Sequence, residues 1–265
     1  MFVDRIKYIE KKGEEKKIPK EKLPLSGIFN IKVKHLNFDV LSIASDDTSV
    51  KDRYIIKNFF DFTLEKWVDW TKEKGIFIDV GAHTGLYSLA ALKNHEENIV
   101  LAIEPLQINF YRILTNLRLN HLQSCGRFEI LNYAVSNEDK FVHFSTKSAW
   151  TFLSKGGKIS NSGMKIKAIK LDSLDLSSLN TKVIALKVDT EGHDLESLQG
   201  GYNLIKSHLP KIIVETRRNN AEAIFKFLHE LGYKNIYDEN NTHISSEKTL
   251  SFQGKEESKD IFCEF

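Results

Sequence analysis

FIDVGAHTGLYS, residues 77–88, joins an apolar strand to a turn with two glycines and the first residues of a helix. Gly81 and Gly85 permit tight backbone dihedrals and a close approach by a ligand. The N-terminus of the helix that follows offers backbone N–H groups without partners inside the helix. The stretch therefore predicts a unit that binds a cofactor through its backbone.

The spacing of the two glycines argues against a dinucleotide cofactor. The pattern Gly-x-Gly-x-x-Gly needs a glycine at the position of His83, whose side chain would meet the pyrophosphate. Glu104 ends the next predicted strand, where doubly wound folds carry a carboxylate for the hydroxyls of a ribose. Together with the glycine turn, Glu104 indicates a nucleoside. The alternative, that Glu104 only caps the loop before the next helix, is disfavoured because Pro105 follows it and its position relative to the glycine turn is right.

Short apolar runs alternate with helical patterns outward from this unit, which is typical of a doubly wound α/β fold with helices on both faces of a parallel sheet. The predicted strands are Ile76–Val80, Ile99–Ile103, Phe128–Leu131, Val183–Val188 and Ile212–Val214. The predicted helices are Leu86–Lys93, Ile108–Asn120, Leu195–Ser207 and Ala221–Leu231. A terminal hairpin would close the sheet with the strands Tyr233–Tyr237 and Ile261–Phe265.

Three segments flank or interrupt this alternation. Ile28–Ile43 alternates like two strands joined through Leu36–Asn37, and Tyr54–Thr71 has apolar residues at helical spacing. Residues 140–174 carry short apolar runs between Gly- and Ser-rich turns, which predicts an antiparallel β insertion before the fourth strand. The expected division is an N-terminal arm with a small hairpin, residues 1–50, and an α/β domain, residues 51–265.

The composition limits the classes of function. The 38 basic and 36 acidic side chains leave a net charge of +2, too even to indicate a polyphosphate or nucleic-acid partner. We find no secretion signal and no apolar run long enough to span a membrane. Two cysteines far apart in the chain, Cys125 and Cys263, indicate thiols in a reducing compartment. The expectation is a cytoplasmic protein without a membrane span.

KVDTEGHD, residues 187–194, follows a buried strand and places an acidic cluster at its carboxyl end, the edge where open α/β sheets bind ligands. Three carboxylates and an imidazole exceed what the start of a helix needs, although the helix dipole alone explains Asp194. Asp189, Glu191 and His193 are therefore the candidates for chemistry.

These segments together resemble the FkbM family of S-adenosylmethionine-dependent methyltransferases across residues 50–220. The resemblance is carried by DVGAHTG (79–85), Glu104-Pro105, NYAVS (132–136), LDSL (171–174) and KVDTEGHD (187–194). The departures are modest: Thr190 stands at a usually aliphatic position, and Asp194 stands where the family commonly has Glu. The resemblance implies a Rossmann-like sheet of seven strands with the last strand antiparallel.

The resemblance also implies a binding position for each part of the cofactor, S-adenosylmethionine. The turn from Gly81 to Gly85 would wrap its methionine part, and Asp79 would fix the turn and the amino group. Glu104 would hold the ribose, and the adenine would lie beside residues 134 and 135. The predicted cofactor-binding residues are Asp79, Gly81, Ala82, His83, Gly85, Glu104, Pro105, Ala134 and Val135.

Family members mostly methylate hydroxyl groups of sugars, polyketides and related natural products, so the resemblance implies O-methyl transfer to a small-molecule or glycan acceptor. A hydroxyl needs a base within hydrogen-bond reach as the new bond forms. The predicted catalytic residues are Asp189, Glu191 and His193, with Asp189 slightly preferred because a helix N-terminus disfavours a charged histidine. A magnesium ion held by Asp189, Glu191 and Glu215 is a lesser alternative and is not predicted.

Several alternatives stay open at this point. The acceptor of the methyl group is alternatively a protein, a lipid or another small molecule, and an NAD-dependent oxidoreductase or a noncatalytic nucleoside-binding module would share the sheet. A nucleic-acid acceptor is not expected, because no basic stripe is evident. Trp150, Phe152 and Lys155 either shape an acceptor pocket or pack in an ordinary way. Arg217-Arg218 either contacts an anionic acceptor or begins an exposed helix.

Overall fold

The computed structural model describes residues 26–43, 62–146, 157–246 and 258–265, together with residues 11, 12, 14, 15, 250 and 252. Residues 54–61, the first part of a predicted helix, lie outside these ranges. So do the three candidates for an acceptor pocket, Trp150, Phe152 and Lys155.

Seven of the described strands form a central sheet in the order β12-β13-β11-β10-β3-β4-β5. The strands are β1 Gly27–Val33, β2 Leu36–Ser42, β3 Ile76–Val80, β4 Ile99–Ile103, β5 Phe128–Leu131, β6 Ala134–Val135, β7 Lys140–Thr146, β8 Gly157–Ser160, β9 Met164–Ile169, β10 Val183–Val188, β11 Lys211–Arg217, β12 Asn235–Tyr237 and β13 Ser258–Glu264. The described α-helices are α1 Phe62–Trp70, α2 Leu86–Asn94, α3 Gln107–Leu119, α4 Asp194–Gln199, α5 Tyr202–His208 and α6 Ala221–Glu230.

The central sheet confirms the predicted doubly wound fold. β3, β4, β5 and β10 occupy the predicted residues, and β11 extends the predicted fifth strand at both ends. The neighbouring strands β5, β4, β3, β10 and β11 all pair in parallel. β13 pairs antiparallel with both β11 and β12, as predicted for the last strand. Every residue of β3 is buried, because helices cover both faces of the sheet.

The apolar core has one layer on each face of the sheet. On the first face Trp67 of α1 is fully buried and makes edge contacts with the rings of Phe77 and Tyr87, at centroid distances of 5.8 and 5.9 Å. The hairpin β1–β2 belongs to the same layer through Phe38 and Val40. On the second face α4, α5 and α6 pack against the sheet. The hairpin is therefore part of the core that supports the glycine turn.

Besides small shifts at the ends of other elements, two predicted features differ from the structure. The hairpin turns at Lys34-His35, not at Leu36–Asn37, because the buried side chain of Leu36 already pairs with Val33. The predicted helix Leu195–Ser207 is two helices, α4 and α5, separated at Gly200-Gly201. A Cβ on Gly200 would lie 2.0 Å from the carbonyl oxygen of Ser136, so the close approach of another segment requires glycine at this break.

The insertion before the fourth strand is a second sheet in the order β6-β9-β7-β8. β7 pairs antiparallel with β8 and β9, and β6 pairs in parallel with β9. Its inner face packs through Val142, Phe144 and Ile166 against Leu106 and Ala134. The insertion is therefore fixed to the segments that follow β4 and β5.

Candidate functional site

Four charged side chains lie on one face of the central sheet toward its carboxyl edge. The register aligns Asp79 of β3 with Lys187 of β10, and Glu215 of β11 with Asp260 of β13. Side chains two positions apart on a strand share a face. The residues two positions closer to the centre of the sheet are the apolar Phe77, Ala185, Ile213 and Phe262, which belong to one cluster. Charged groups from four strands, distant in sequence, are thus brought to one side of the sheet.

The glycine turn after β3 touches the segment after β10. Gly81 has a φ of 77°, and a Cβ at this position would lie 1.8 Å from the carbonyl oxygen of Asp189. Only glycine combines this dihedral with this approach. Asn116 of α3 supports the turn by donating a hydrogen bond of 2.8 Å to the carbonyl oxygen of Thr84. Two predicted parts of the site, the turn and Asp189, are therefore in direct contact.

Asp79 is fully buried, and only one of its oxygens is hydrogen-bonded in the described part of the chain. Oδ2 accepts bonds from the N–H of Ser88 at 3.1 Å and from its hydroxyl at 2.7 Å. Burial raises the pKa of Asp79, although the positive charge of Lys187 acts in the opposite direction. A buried acceptor without a partner costs about 1–3 kcal/mol. Oδ1 is therefore an acceptor that an amino group of a ligand would satisfy.

Glu104 is buried at the end of β4 and ties the glycine turn to the start of α3. Its Oε2 accepts a 2.8 Å bond from the N–H of His83, and its Oε1 accepts bonds from the N–H of Leu106 at 2.9 Å and from Asn109 at 3.3 Å. Burial raises the pKa of Glu104, against the effect of the His83 imidazole. The carboxylate closes the loop, and its remaining lone pairs are the ones that a ribose hydroxyl would use.

The other predicted cofactor positions lie on the segments that follow β4 and β5. Asn132 donates to the carbonyl oxygens of Glu104 and Pro105, at 2.8 and 3.0 Å, and so joins these two segments. Ala134 and Val135 are buried in β6, with exposed fractions of 4% and 3%. Ala82 is buried in the turn, and its N–H donates to the carbonyl oxygen of Ile103 at 3.2 Å.

Lys187 is a buried ammonium at the centre of the charged row, with an exposed fraction of 4%. It donates a 3.1 Å bond to Oδ2 of Asp189 and lies 4.7 Å from the centroid of the Tyr87 ring. Although burial disfavours its charge, the neighbouring carboxylates of Asp189, Asp79 and Asp260 raise the pKa of Lys187. The Asp189 side chain is 41% exposed, and among the described residues nothing donates to its Oδ1. Lys187 therefore fixes Asp189 and leaves one of its oxygens available.

Asp260 and Glu215 complete the row at the antiparallel end of the sheet. Burial raises the pKa of Asp260 to about 7, and the negative charge of Asp189 acts in the same direction. Burial also raises the pKa of Glu215, again with a contribution from Asp189. The hydroxyl of Thr63 donates to Oδ2 of Asp260 at 2.9 Å, so this carboxylate also anchors α1 to β13.

Arg217 connects the loop after β10 to β11. Its guanidinium donates to Oε2 of Glu191 at 3.1 Å and to Oε2 of Glu215 at 2.8 and 3.0 Å. Arg218 donates to the carbonyl oxygen of Phe252 at 3.2 Å. Arg217 therefore lies at the end of a strand and does not begin an exposed helix. Its guanidinium is already paired with Glu191 and Glu215, two of the three carboxylates considered as magnesium ligands.

His193 bridges α4 to the end of β6. Its Nε2 lies 3.0 Å from the hydroxyl oxygen of Ser136, and its Nδ1 lies 3.5 Å from Oε2 of Glu196. Burial lowers the pKa of His193, while the nearby Glu196 acts to raise it. Both ring nitrogens are thus engaged by protein groups, whereas Asp189 keeps one oxygen without a donor.

Asp194 shapes the turn that carries the other acidic residues. Its Oδ1 accepts from the N–H and the hydroxyl of Thr190 at 2.7 and 2.8 Å, and its Oδ2 accepts from the N–H of Gly192 at 3.1 Å. Burial raises the pKa of Asp194 to about 7. The two departures from the family pattern, Thr190 and Asp194, are therefore hydrogen-bonded to each other.

The residues present fit the methionine end of S-adenosylmethionine. The buried Oδ1 of Asp79 has no hydrogen-bond partner among the described residues and would accept a bond from the amino group. Gly81, which has no Cβ, lets the turn pack directly on the backbone of Asp189. Within the described ranges no three His, Cys, Asp or Glu side chains are grouped as ligands for a metal ion. None of the described helices is long and apolar enough to cross a membrane.

Sequence reasoning did not single out Lys187 and Asp260. A signal for Lys187 was available, since a lysine within the apolar run Val183–Val188 is almost never fully buried without a partner. Asp260 had no comparable signal, because it lies far from the motifs and only the pairing of β13 with β11 brings it to the site.

The fold and the site together define a Rossmann-like methyltransferase, with the glycine turn after β3 and the acidic segment after β10 at the carboxyl edge. The family model "Methyltransferase FkbM domain" matches residues 79–234, more than half of the 265 residues. The chain belongs to the FkbM methyltransferase family. Nothing among the curated proteins matches the chain.

Several solved structures are similar to the chain at low identity. A methyltransferase FkbM from Methylobacillus flagellatus is 18% identical with a TM-score of 0.49, covering 72% of this chain and 43% of that chain. A SAM-dependent methyltransferase from Agrobacterium tumefaciens is 12% identical with a TM-score of 0.48, covering 91% and 71%. M. jannaschii TYW2 in complex with AdoMet is 10% identical with a TM-score of 0.44, covering 90% and 86%. The chain thus spans less than half of the Methylobacillus protein.

Proposed function

We propose that the protein is an S-adenosylmethionine-dependent O-methyltransferase that acts on a hydroxyl group of a sugar, a glycan or a related natural product. The observation that carries the proposal is the contact between the glycine turn and Asp189, where Gly81 has no room for a Cβ. This contact brings a predicted cofactor-binding turn beside a half-exposed carboxylate, which is the arrangement that methylation of a hydroxyl needs.

The cofactor would be held by residues that are already positioned by the fold. Oδ1 of Asp79 would accept a hydrogen bond from the amino group, and the turn from Gly81 to Gly85 would surround the methionine part. Glu104 would accept from the ribose, and the adenine would lie beside Ala134–Val135. When bound, S-adenosylmethionine supplies an electrophilic methyl group on a sulfonium centre.

Asp189 would act as the general base. Its Oδ1 would receive the proton of the acceptor hydroxyl as that oxygen takes up the methyl group that bound S-adenosylmethionine would supply. Lys187 holds the other oxygen at 3.1 Å and so fixes the direction in which Oδ1 points. The main contribution of the protein would be to hold the acceptor in line with the methyl group.

Glu191 and His193 support this assignment in secondary roles. The bond from Arg217 at 3.1 Å holds Glu191 on the loop after β10, from which it would orient the acceptor. His193 is bonded to Ser136, and burial lowers its pKa, so it would remain neutral and keep α4 in place. Neither residue offers an unengaged basic atom as plainly as Asp189 does.

We propose that the reaction takes place in the cytoplasm. Cys125 and Cys263 are both free, and Cys263 is buried in β13, which suits a reducing compartment.

Calorimetric titration of the purified protein with S-adenosylmethionine, S-adenosylhomocysteine and NAD tests the proposal. We expect binding of the two adenosyl compounds and no binding of NAD. A subsequent incubation with S-adenosylmethionine and a panel of glycans and sugar nucleotides should give a product heavier by one methyl group. Binding of NAD alone would indicate an oxidoreductase. Adenosyl binding with methylation confined to proteins or lipids would replace the proposed acceptor class.

A further inference from the structure

The outer face of the second sheet, β6-β9-β7-β8, carries basic side chains that are separated in the sequence. Residues 140–171 contain seven lysines and no aspartate or glutamate, so the remainder of a chain with net charge +2 is net acidic. Alternation along β7, β8 and β9 buries Val142, Phe144 and Ile166 on the inner face. The opposite, exposed face carries Phe141, His143, Lys158, Lys165 and Lys167, which we call the lysine face.

Two lysines of this face are supported by aromatic rings. Nζ of Lys165 lies 4.7 Å from the centroid of Phe141, and Nζ of Lys167 lies 5.2 Å from the centroid of Tyr133. Cation–π contacts of this kind hold an ammonium group without neutralising its charge. Phe141 is itself 63% exposed, so its contact with Lys165 lies at the surface of the sheet. The lysine face thus presents positioned charges.

The acidic groups nearest to the lysine face are engaged at its margin. Glu138 pairs with Lys140 at 3.2 Å. Asp139 accepts bonds from the N–H of Lys170 and the hydroxyl of Ser173, both at 2.8 Å, and with the charges of Lys170 and Lys167 these bonds lower the pKa of Asp139. Among the described residues no carboxylate forms an ion pair with Lys158, Lys165 or Lys167. Their charge is therefore available to a partner.

We propose that the lysine face binds the anionic groups of an acidic polysaccharide, a class of acceptor that rests on the proposed methylation of sugar hydroxyls. Lys165 and Lys167 are two positions apart on one strand, about 7 Å, and Lys158 lies on β8 beyond β7. Such an array matches a chain with repeated negative groups. β9 pairs with β6 at Ala134 and Ala168, so the face is one strand away from the proposed adenine position.

The same geometry disfavours a single-stranded nucleic acid. Proteins that bind single strands stack bases on open aromatic rings. Here the ammonium groups of Lys165 and Lys167 lie over Phe141 and Tyr133, so a base would compete with them for these ring faces. The face therefore recognises charge rather than bases.

The test measures binding of the full-length protein to polygalacturonate, with neutral dextran and poly(U) RNA as comparison probes. We expect salt-sensitive binding to polygalacturonate, weaker binding to poly(U) and none to dextran. The double variant Lys165→Glu/Lys167→Glu should lose affinity for polygalacturonate by about tenfold or more, and Lys165→Gln/Lys167→Gln should lose less. The exposed pair Lys226→Glu/Lys234→Glu is the matched control and should bind like the parent.

Binding of S-adenosylmethionine, measured on the same variants, separates this inference from the proposed function. It should be unchanged in all of them, which also reports that they are folded. Equal affinity of the parent and the Lys165→Glu/Lys167→Glu variant for polygalacturonate would refute the lysine face, as would tighter binding of poly(U). If the parent binds polygalacturonate but no adenosyl compound, and the Lys165→Glu/Lys167→Glu variant loses polygalacturonate binding, the inference about the lysine face stands and the proposed reaction is wrong.

Discussion

At the scale of single residues, the proposed chemistry depends on the different surroundings of the two Asp189 oxygens. Oδ2 receives a hydrogen bond from the buried ammonium of Lys187, and the half-exposed side chain leaves Oδ1 for the acceptor. Gly81 packs against the backbone carbonyl oxygen of Asp189 and leaves no room there for a larger residue, so the turn lies beside the residue that carries this carboxylate.

We predict that Asp189→Asn lowers the rate of methyl transfer by roughly 10²–10⁴-fold, the usual contribution of a general base. Binding of S-adenosylmethionine should change little, because the amide retains the size of the carboxylate. Steady-state kinetics on the identified acceptor together with calorimetry check both statements. Asp175→Asn, on an exposed loop, is the control. If Asp189→Asn kept the parental rate, Asp189 would not be the base, and Glu191 would be the next candidate.

We predict that Gly81→Ala abolishes binding of S-adenosylmethionine and destabilises the fold by more than about 2 kcal/mol. The alanine would combine a positive φ of 77° with a Cβ 1.8 Å from the carbonyl oxygen of Asp189. Gly126→Ala is a matched control, since Gly126 has a φ of 67° and no atom within 4 Å of an added Cβ. It should cost about 1 kcal/mol by denaturant titration and leave binding intact. Equal effects of the two substitutions would contradict the proposed crowding.

At the scale of secondary-structure elements, α3 links the N-terminal hairpin to the cofactor turn. Asn116 accepts a 2.8 Å bond from the N–H of Leu41 in β2 and donates one to Thr84 in the turn. Asn120 makes a similar pair of bonds to Asp39 of the hairpin but none to the turn. Asn116 in α3 and Asn120 directly after it thus both bind the hairpin, and only Asn116 also bonds to the turn.

This difference predicts separable effects of two alanine substitutions. Asn116→Ala and Asn120→Ala should each reduce the free energy of unfolding by about 1–3 kcal/mol, because both leave backbone groups without partners. Only Asn116→Ala should also weaken binding of S-adenosylmethionine, by several-fold. Chemical denaturation and calorimetry give the two quantities. Similar affinities in the two variants would show that the hairpin does not influence the turn.

The burial of Asp260 in β13 predicts a dependence of stability on pH. Burial raises its pKa from the ordinary value of 3.8 to about 7, so the folded state binds a proton more tightly than the unfolded chain does. The stability due to this group is complete below pH 4 and is lost as the pH rises to 7 and beyond. Asp260→Asn removes this titration and keeps an acceptor for Thr63.

We expect Asp260→Asn to exceed the parent in stability at pH 8 by about 1–2 kcal/mol, or roughly 2–8 °C in Tm. The difference should vanish near pH 4, where the parental carboxyl is protonated. Thermal unfolding between these two pH values measures it. A constant offset between parent and variant would mean that Asp260 does not titrate in this range.

At the scale of the whole molecule, the site uses segments on both sides of the matched family domain. That domain covers residues 79–234, whereas the hairpin β1–β2 lies before it and Asp260 lies after it. Phe38 of the hairpin and Phe262 of β13 belong to the same buried cluster as Phe77 beside the turn. We therefore expect ligand binding at the turn to be coupled to the global stability of the chain.

This coupling predicts that S-adenosylhomocysteine raises the Tm of the chain. At a concentration 100 times the Kd, a ligand that binds only the folded state adds about 2.7 kcal/mol, or roughly 5–10 °C for a protein of this size. Differential scanning fluorimetry measures the shift, with NAD as the control that should leave the Tm unchanged. A shift with NAD and none with S-adenosylhomocysteine would overturn the proposed cofactor.

The sequence by itself determined the elements and the motifs. Whether a segment is a strand or a helix follows from local periodicity. Apolar residues repeat every two positions in a strand and every 3.6 positions in a helix, because one face of each element is buried. The limits of β3, β4, β5 and β10 were therefore predicted correctly, and the glycine turn and the acidic segment lie where they were expected, whereas β11 is longer than predicted. The implied family was confirmed on the same segments.

Only the tertiary structure decided which distant groups meet. The break between α4 and α5 lies where Gly200 approaches the carbonyl oxygen of Ser136, and the carboxylates around Lys187 come from separate strands and loops. The lysine face could not be recognised from the order of residues in the sequence, because its members alternate with buried residues and lie on different strands. These features depend on strand register and on the approach of one segment to another, which no local pattern encodes.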